Sequence, residues 1–241
     1  MPTAALLVIG NEILSGKVVD TNSPFLAAEL RTLGVDLERI LTIPDDIALI
    51  AREARLMSDA YDFVFTSGGI GPTHDDLTMG GIAQAFDRSL EPSLSMLERM
   101  QRQQGEAPNE SQRKMAMIPS GAQVVDAGDL WFPVVIVENV HIFPGIPKLL
   151  QKKFHSIKDR FRGVPFRLRR IYVTQRESDI ADQLNELLVE FPELMLGSYP
   201  KLEESEYRVL LTLESRDAEY LARAQESLLA RLSDDAVFKV E

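Results

Sequence analysis

Thr66-Ser67-Gly68-Gly69-Ile70-Gly71-Pro72-Thr73-His74-Asp75-Asp76-Leu77-Thr78 is the stretch that decides how this chain folds. The apolar run Phe63 to Phe65 before it reads as a buried strand, and Ile82, Ala83, Ala85 and Phe86 after it read as a helix. The stretch is therefore a strand-to-helix turn holding three glycines, four hydroxyls and two adjacent carboxylates. Glycines let backbone approach a ligand closely, and a following helix start offers free N–H groups to an anion. Two carboxylates in the same turn suit a hard cation of the kind that travels with phosphate. Each residue also has a plain reading: Ser67, Thr73 and Thr78 as turn residues, Asp75 or Asp76 as a helix cap, His74 as a turn residue or a ligand contact.

Working outward, Ala4–Ile9 reads as a buried strand, and Ser23-Pro24 as a helix cap followed by proline at the first helical position. Leu26, Leu30 and Leu33 continue that helix to Gly34. Val35–Ile43 is extended, and Asp45 or Asp46 caps a helix with Ile47, Ile50, Ala54 and Met57 on its inner face. Strands alternating with amphipathic helices predict an α/β fold of three layers, a mostly parallel sheet with helices on both faces. In such sheets ligands bind beyond the carboxyl ends of the strands, which is where the glycine turn and Asp45 both lie. Pro92 to Gln104 reads as a helix, Val134–Val137 and Val140–Phe143 as strands, and Pro144-Gly145-Ile146-Pro147 as a sharp turn into another helix.

After Gly163-Val164-Pro165 the pattern changes to strand Leu168–Thr174, helix Ser178–Glu190, strands Leu194–Tyr199 and Tyr207–Leu213, helix Ala218–Leu232 and strand Ala236–Val240. That β-α-β-β-α-β order predicts a small α+β, ferredoxin-like domain. The predicted domains are residues 1–163 and 164–241.

Composition narrows the chemistry. The 241 residues are 45% hydrophobic and 26% charged, an ordinary globular balance. With no cysteine there is no disulfide, no thiolate nucleophile and no Cys-ligated metal. The three histidines form no zinc-hydrolase pattern. A net charge of −11 argues against bulk nucleic-acid binding. No apolar run is long enough to span a membrane. Ala4–Ile9 is too short for a signal-peptide core, so a cytoplasmic protein is expected. The charge is uneven: Lys148 to Arg176 carries ten Lys/Arg and one acid, Asp159. That run reads as a solvated surface or as a landing strip for an anion. Arg113 and Lys114 could likewise balance phosphate charge or decorate a helix.

Two phosphate motifs fail on spacing. Gly10 to Val18 has five residues between its glycines, and Val18 stands where a P-loop needs Ser or Thr. The Gly-Gly-x-Gly of residues 68–71 is not the dinucleotide fingerprint.

The chain resembles the molybdopterin-binding-type family (MoaB/Mog fold), in its CinA branch. The matching blocks are Gly10-Asn11-Glu12-Ile13-Leu14-Ser15-Gly16 with Asp20-Thr21-Asn22-Ser23, Pro44-Asp45-Asp46, the glycine turn through Thr78, Asn109 to Pro119, and Phe143-Pro144-Gly145-Ile146-Pro147. Gly197-Ser198-Tyr199-Pro200 extends the likeness to the second region. The usual CinA pattern has Gly-Thr-Ala-Pro-Gly where this chain has Asp129-Leu130-Trp131-Phe132-Pro133-Val134-Val135, which looks more like the N-terminal domain of eukaryotic-type FAD synthases. No counterpart of the nicotinamide-nucleotide amidase domain or of the FAD-making domain is seen, and neither activity is carried over.

The resemblance implies a site for a nucleotide or pterin phosphate. Ser15, Asn22, Ser67, Gly68, Gly69, Gly71, Thr73, Asp75, Pro144 and Gly145 would bind it, and Asp76 and Asp45 would be the catalytic and metal-holding carboxylates. Mg²⁺ or another divalent cation is the implied cofactor, and molybdopterin a possible ligand. The implied activity is metal-dependent nucleotide pyrophosphatase chemistry on ADP-ribose or FAD-like diphosphates. A non-catalytic molybdopterin binder or carrier and a molybdopterin adenylyltransferase are the alternatives. Arg167, Arg169 and Arg170 would touch ligand or mediate assembly, and a homo-oligomer is expected.

Overall fold

Ala4 to Ile9 are all buried because every residue of this first strand has a packed layer on either side, the mark of a parallel sheet covered on both faces. The computed structural model describes residues 1–126, 132–201 and 206–241, with the backbone alone at Gln104 and Asp234. Asp129, Leu130 and Trp131 of the FAD-synthase-like segment lie outside the described residues. The chain divides into two units, Met1–Gly163 and Val164–Glu241. No helix among the described residues is long and apolar enough to cross a membrane.

The first unit runs β1 (Thr3–Ile9), α1 (Asn11–Leu14), α2 (Asn22–Leu33), β2 (Asp36–Ile43), α3 (Ile47–Ala60), β3 (Phe63–Ser67), α4 (Thr78–Ala85), β4 (Leu90–Pro92), α5 (Leu94–Gln104), α6 (Glu110–Met115), β5 (Met117–Pro119), β6 (Gln123–Val125), β7 (Val134–Val137), β8 (Val140–Phe143) and α7 (Pro147–Ile157). Its main sheet has the order β2-β1-β3-β8-β7-β6. The first four strands are parallel, and β7 turns back antiparallel through Glu138 and Asn139. Ala5, Leu7 and Ile9 face the α3/α4/α5 side with Ile50, Ala54, Met57, Ile82, Met96 and Met100. Ala4, Leu6 and Val8 face the α2/α7 side with Leu26, Leu30, Leu150 and Phe154. Each large apolar side chain so buried contributes roughly 1.5–3 kcal/mol. The unit is thus a three-layer α/β sandwich with a mostly parallel sheet.

Three readings need correction. Helix α2 starts at Asn22, not after Ser23, because Asp20 captures its first N–H groups: Oδ1 accepts from Asn22 at 2.9 Å and Ser23 at 3.1 Å. Pro92 belongs to β4, and the helix begins at Leu94. Ile47 is 39% exposed, unlike the buried Ile50, Ala54 and Met57, since it is the first residue of α3.

The second unit runs β9 (Arg167–Val173), α8 (Glu177–Glu190), β10 (Met195–Pro200), β11 (Val209–Ser215), α9 (Ala218–Arg231) and β12 (Val237–Val240). Its antiparallel sheet, β10-β11-β9-β12, is the ferredoxin-like arrangement. Ile171, Val173, Val209, Leu211 and Leu213 pack on Ile180, Leu184, Leu187, Leu221 and Leu228 of the two helices.

His141 on β8 is buried among Phe63, Phe65 and Phe161, with Nδ1 donating to the Asn139 carbonyl at 3.0 Å. Burial pushes its pKa down to about 4. The folded ring stays neutral while the unfolded ring protonates below about 6.5. The unfolded state therefore binds the extra proton, and stability falls as pH drops from about 6.5 towards 4, by up to about 1.4 kcal/mol per pH unit. Urea midpoints between pH 6.5 and 5 are expected to slope for the native chain and to flatten in His141→Leu. Equal slopes would remove His141 as the cause.

Candidate active site

Register pairs Ile9 with Ile43, and Ser67 with both Val8 and Phe143, so β2, β1, β3 and β8 end within one residue of one another. The chain leaves β1 towards β2 on one side and returns to β3 on the other, and the crevice between β1 and β3 is the switch point where such sheets bind ligands. Three loops meet there: Gly10 to Thr21 after β1, Gly68 to Leu77 after β3, and Pro144 to Ile146 after β8.

One side chain ties them. Asn22 is 5% exposed, and its Nδ2 donates to Ser67 Oγ at 2.9 Å and to the Gly145 carbonyl at 2.7 Å. Its Oδ1 is buried and accepts from nothing among the described residues.

The glycine turn hugs the sheet edge. Gly68 has φ 108° and Gly69 φ 64°, left-handed backbone that favours glycine. A Cβ on Gly68 would stand 2.1 Å from the Ile9 carbonyl oxygen. Gly68 N–H donates to Phe143 O at 3.2 Å, and Thr78 returns its N–H to Gly69 O at 2.9 Å and its hydroxyl to Gly68 O at 2.8 Å. The N–H groups of Gly69 and Ile70 have no acceptor among the described residues. They lie beside the start of α4, whose dipole adds positive potential.

Asp76 is half-buried and turned back onto this loop: Oδ1 accepts from Gly71 N–H at 2.5 Å, and Oδ2 from Thr73 N–H at 2.7 Å and the Thr73 hydroxyl at 2.6 Å. The Thr73 hydroxyl also lies 2.5 Å from Asp75 Oδ1, and its single proton serves one carboxylate at a time. That hydroxyl and Asp75's own backbone N–H, aided by the charges of His74 and Lys114, hold the Asp75 carboxyl below its ordinary range. Lys114 on α6 donates to the Thr73 carbonyl, whereas Arg113 turns away to the Pro108 carbonyl.

A cavity of about 560 Å³ opens over the turn, lined by Glu12, Gly68 to Pro72, Asp76, Pro144 to Pro147 and Lys153, with Val18, Met115, Phe132 and Leu149 as apolar wall. A smaller recess of about 60 Å³ beside it is lined by Asn22, Ser67, Gly68 and Gly145. The expected residues therefore divide. Asp76, Gly68, Gly69, Gly71, Pro144 and Gly145 line the main cavity, and Asn22 and Ser67 the recess. Thr73 and Asp75 stand on the outer side of the turn. Ser15 is exposed, and its hydroxyl donates to Glu12 O. Asp45 lines neither space: its Oδ2 accepts from Asn11 N–H at 2.9 Å, holding the start of α1, while Asp46 caps α3 through Leu49 N–H at 2.8 Å. The second carboxylate on the cavity wall is Glu12, just past the end of β1. Its place just past a strand end is the same signal that marks Asp45.

Residues 5–162 match the family model described as "Probable molybdopterin binding domain". The chain belongs to this molybdopterin-binding-domain family. Residues 165–241 match the model described as "FAD synthase, middle domain". A protein of Archaeoglobus fulgidus is 36% identical over 95% of this chain and 97% of its own length. A Caenorhabditis elegans protein named "Probable FAD synthase" is 34% identical over 98% of this chain but only 51% of its own length, so the chain spans about half of that relative. A crystal structure of the protein CinA from Thermoplasma acidophilum, described as of unknown function, covers 66% of this chain and 97% of that one at 29% identity, with a TM-score of 0.61. The likeness to CinA thus rests on both sequence and backbone, and the likeness to FAD synthases on sequence.

Proposed function

We propose that the first unit hydrolyses nucleotide diphosphate linkages of the ADP-ribose or FAD type with the help of a divalent cation. The observation that carries this reading is a single cavity joining unpartnered turn N–H groups, two carboxylates and an apolar wall. The N–H groups suit phosphate oxygens, and Val18, Met115, Phe132 and Leu149 suit a flat ring.

Among the described residues no three His, Asp or Glu side chains gather into a metal cage. The donor set instead fits a cation held partly by the ligand, the usual Mg²⁺ arrangement of one or two carboxylates plus phosphate oxygens. Asp76 would hold it through Oδ1, which keeps a free lone pair beyond its bond from the Gly71 N–H. Bound there, the cation would neutralise charge on a phosphoryl oxygen. The N–H groups of Gly69 and Ile70 would receive the charge that develops in the transition state. Glu12, whose carboxylate accepts no hydrogen bond among the described residues, would take the proton from the attacking water.

The test is release of AMP from FAD, ADP-ribose, NAD and ATP, each with Mg²⁺, Mn²⁺ or Co²⁺. AMP is expected from at least one diphosphate only when metal is added. Glu12→Gln is expected to slow release about 100-fold without weakening ligand binding. No AMP under any combination overturns the reading.

One observation favours a second reading. The Asp76 oxygens both brace the turn, as they would in a cradle that only binds. Tight pterin or nucleotide binding without metal-stimulated AMP release would support a non-catalytic binder.

A further inference from the structure

Helix α7 carries a lysine where its apolar neighbours predict a core residue. Lys153 falls on the face of Leu150, Phe154 and Ile157, and only 1% of it is exposed. Its Nζ donates to the carbonyls of Phe132 and, at 2.8 Å, of Pro133, and stands 4.4 Å from the centroid of the Phe132 ring. The two carbonyls leave one N–H over, and neither they nor the ring carries a full negative charge. Among the described residues no carboxylate pairs with it. A buried ammonium normally requires such a partner.

The missing charge has an evident place. Lys153 lines the same cavity as the glycine turn, and it is the one cation among that cavity's described lining residues. The other charged groups there are Glu12, arriving from α1, and Asp76, arriving from the turn. A cavity walled by two carboxylates repels a diphosphate unless positive charge is supplied inside it.

We propose that Lys153 is an anion-binding residue of this cavity, its amine taking up a proton as a diphosphate enters and giving it back as the ligand leaves. The inference rests on the diphosphate reading of the cavity but not on hydrolysis. Burial alone pushes the amine's pKa down to about 7, so the free protein holds it partly neutral near physiological pH. An entering anion favours the charged form. By linkage, affinity is then constant below about pH 7 and falls above it, by about tenfold per pH unit while one full proton is taken up.

Titration calorimetry of the full chain with ADP-ribose and with FAD, without metal, tests this. At pH 8, repeated in two non-phosphate buffers of different ionisation enthalpy, it should show uptake of close to one proton per ligand. Affinity should drop about tenfold between pH 7.5 and 8.5. Lys153→Met should abolish the proton uptake, flatten the pH dependence and lower affinity at pH 6.5 by at least about tenfold. Lys153→Arg, which cannot release its proton, should bind without uptake. A purely structural lysine tying Phe132 and Pro133 in place would produce no uptake in the native chain, whatever its variants do to folding. Binding without proton uptake overturns the inference and leaves the hydrolase reading standing. No binding of either ligand by the native chain without metal also overturns the inference, whereas the hydrolase reading falls only if AMP release with metal is absent.

Discussion

Gly68→Ala is expected to destabilise the first unit by at least about 3 kcal/mol. Two independent effects add at this residue. The φ of 108° lies where L side chains rarely go, and holding a non-glycine residue in sparsely populated backbone costs on the order of 1–3 kcal/mol. The new Cβ would also fall 2.1 Å from the Ile9 carbonyl oxygen, which is backbone of the central strand and cannot swing aside. Gly105 is the control. It also has positive φ, 76°, but a Cβ there meets nothing within 4 Å. Gly105→Ala should therefore cost only the left-handed penalty, roughly 1–2 kcal/mol. Urea unfolding of both variants separates the effects. Equal losses would mean that close approach to Ile9 contributes nothing, and the tight seating of the turn on β1 would have to be abandoned.

Asp76→Asn is expected to reduce AMP release by about 100-fold or more, comparable with removing a principal electrostatic group from an active site. An asparagine keeps one acceptor oxygen but points an NH₂ at donors that now face Oδ1 or Oδ2, the N–H of Gly71 or of Thr73. One turn donor is left unsatisfied, at a cost of about 1–3 kcal/mol. The variant should remain folded at room temperature, bind ADP-ribose more weakly and turn it over far more slowly. Circular dichroism with a urea midpoint checks the first, calorimetry the second and AMP release the third. Full turnover in a folded variant would remove Asp76 from the chemistry and restrict it to bracing the loop.

The layered fold was legible because its signals were local and mutually consistent. The alternation of strand and helix, the strands Val134–Val137 and Val140–Phe143 to the residue, and the β-α-β-β-α-β order of the second unit all follow from hydrophobic period and turn residues. The three-residue strands β4, β5 and β6 were not legible, since so short a run carries no period. At the site the sequence located the edge and the turn. It did not distinguish Asp45 from Glu12. Both follow strand ends, and only three dimensions show that Asp45 reaches the N–H of Asn11 while Glu12 is left on the cavity wall. The capping role of Asp20 was masked by the more familiar Ser-Pro signal, although an Asx turn two residues upstream has the same chemistry. Lys153 was hidden inside a basic run that reads as surface. Its spacing from Leu150, Phe154 and Ile157 was the available clue that this lysine faces inward.

The amide of Asn22 joins β3 to the loop after β8 from the start of α2. Three segments distant in sequence therefore share one fastener, and its length is that of a single short side chain. Individual residues around the mouth can change, but the separations between these segments cannot drift one at a time. Specificity in this architecture would diversify through the cavity's apolar lining, with the strand-end framework inherited as a block.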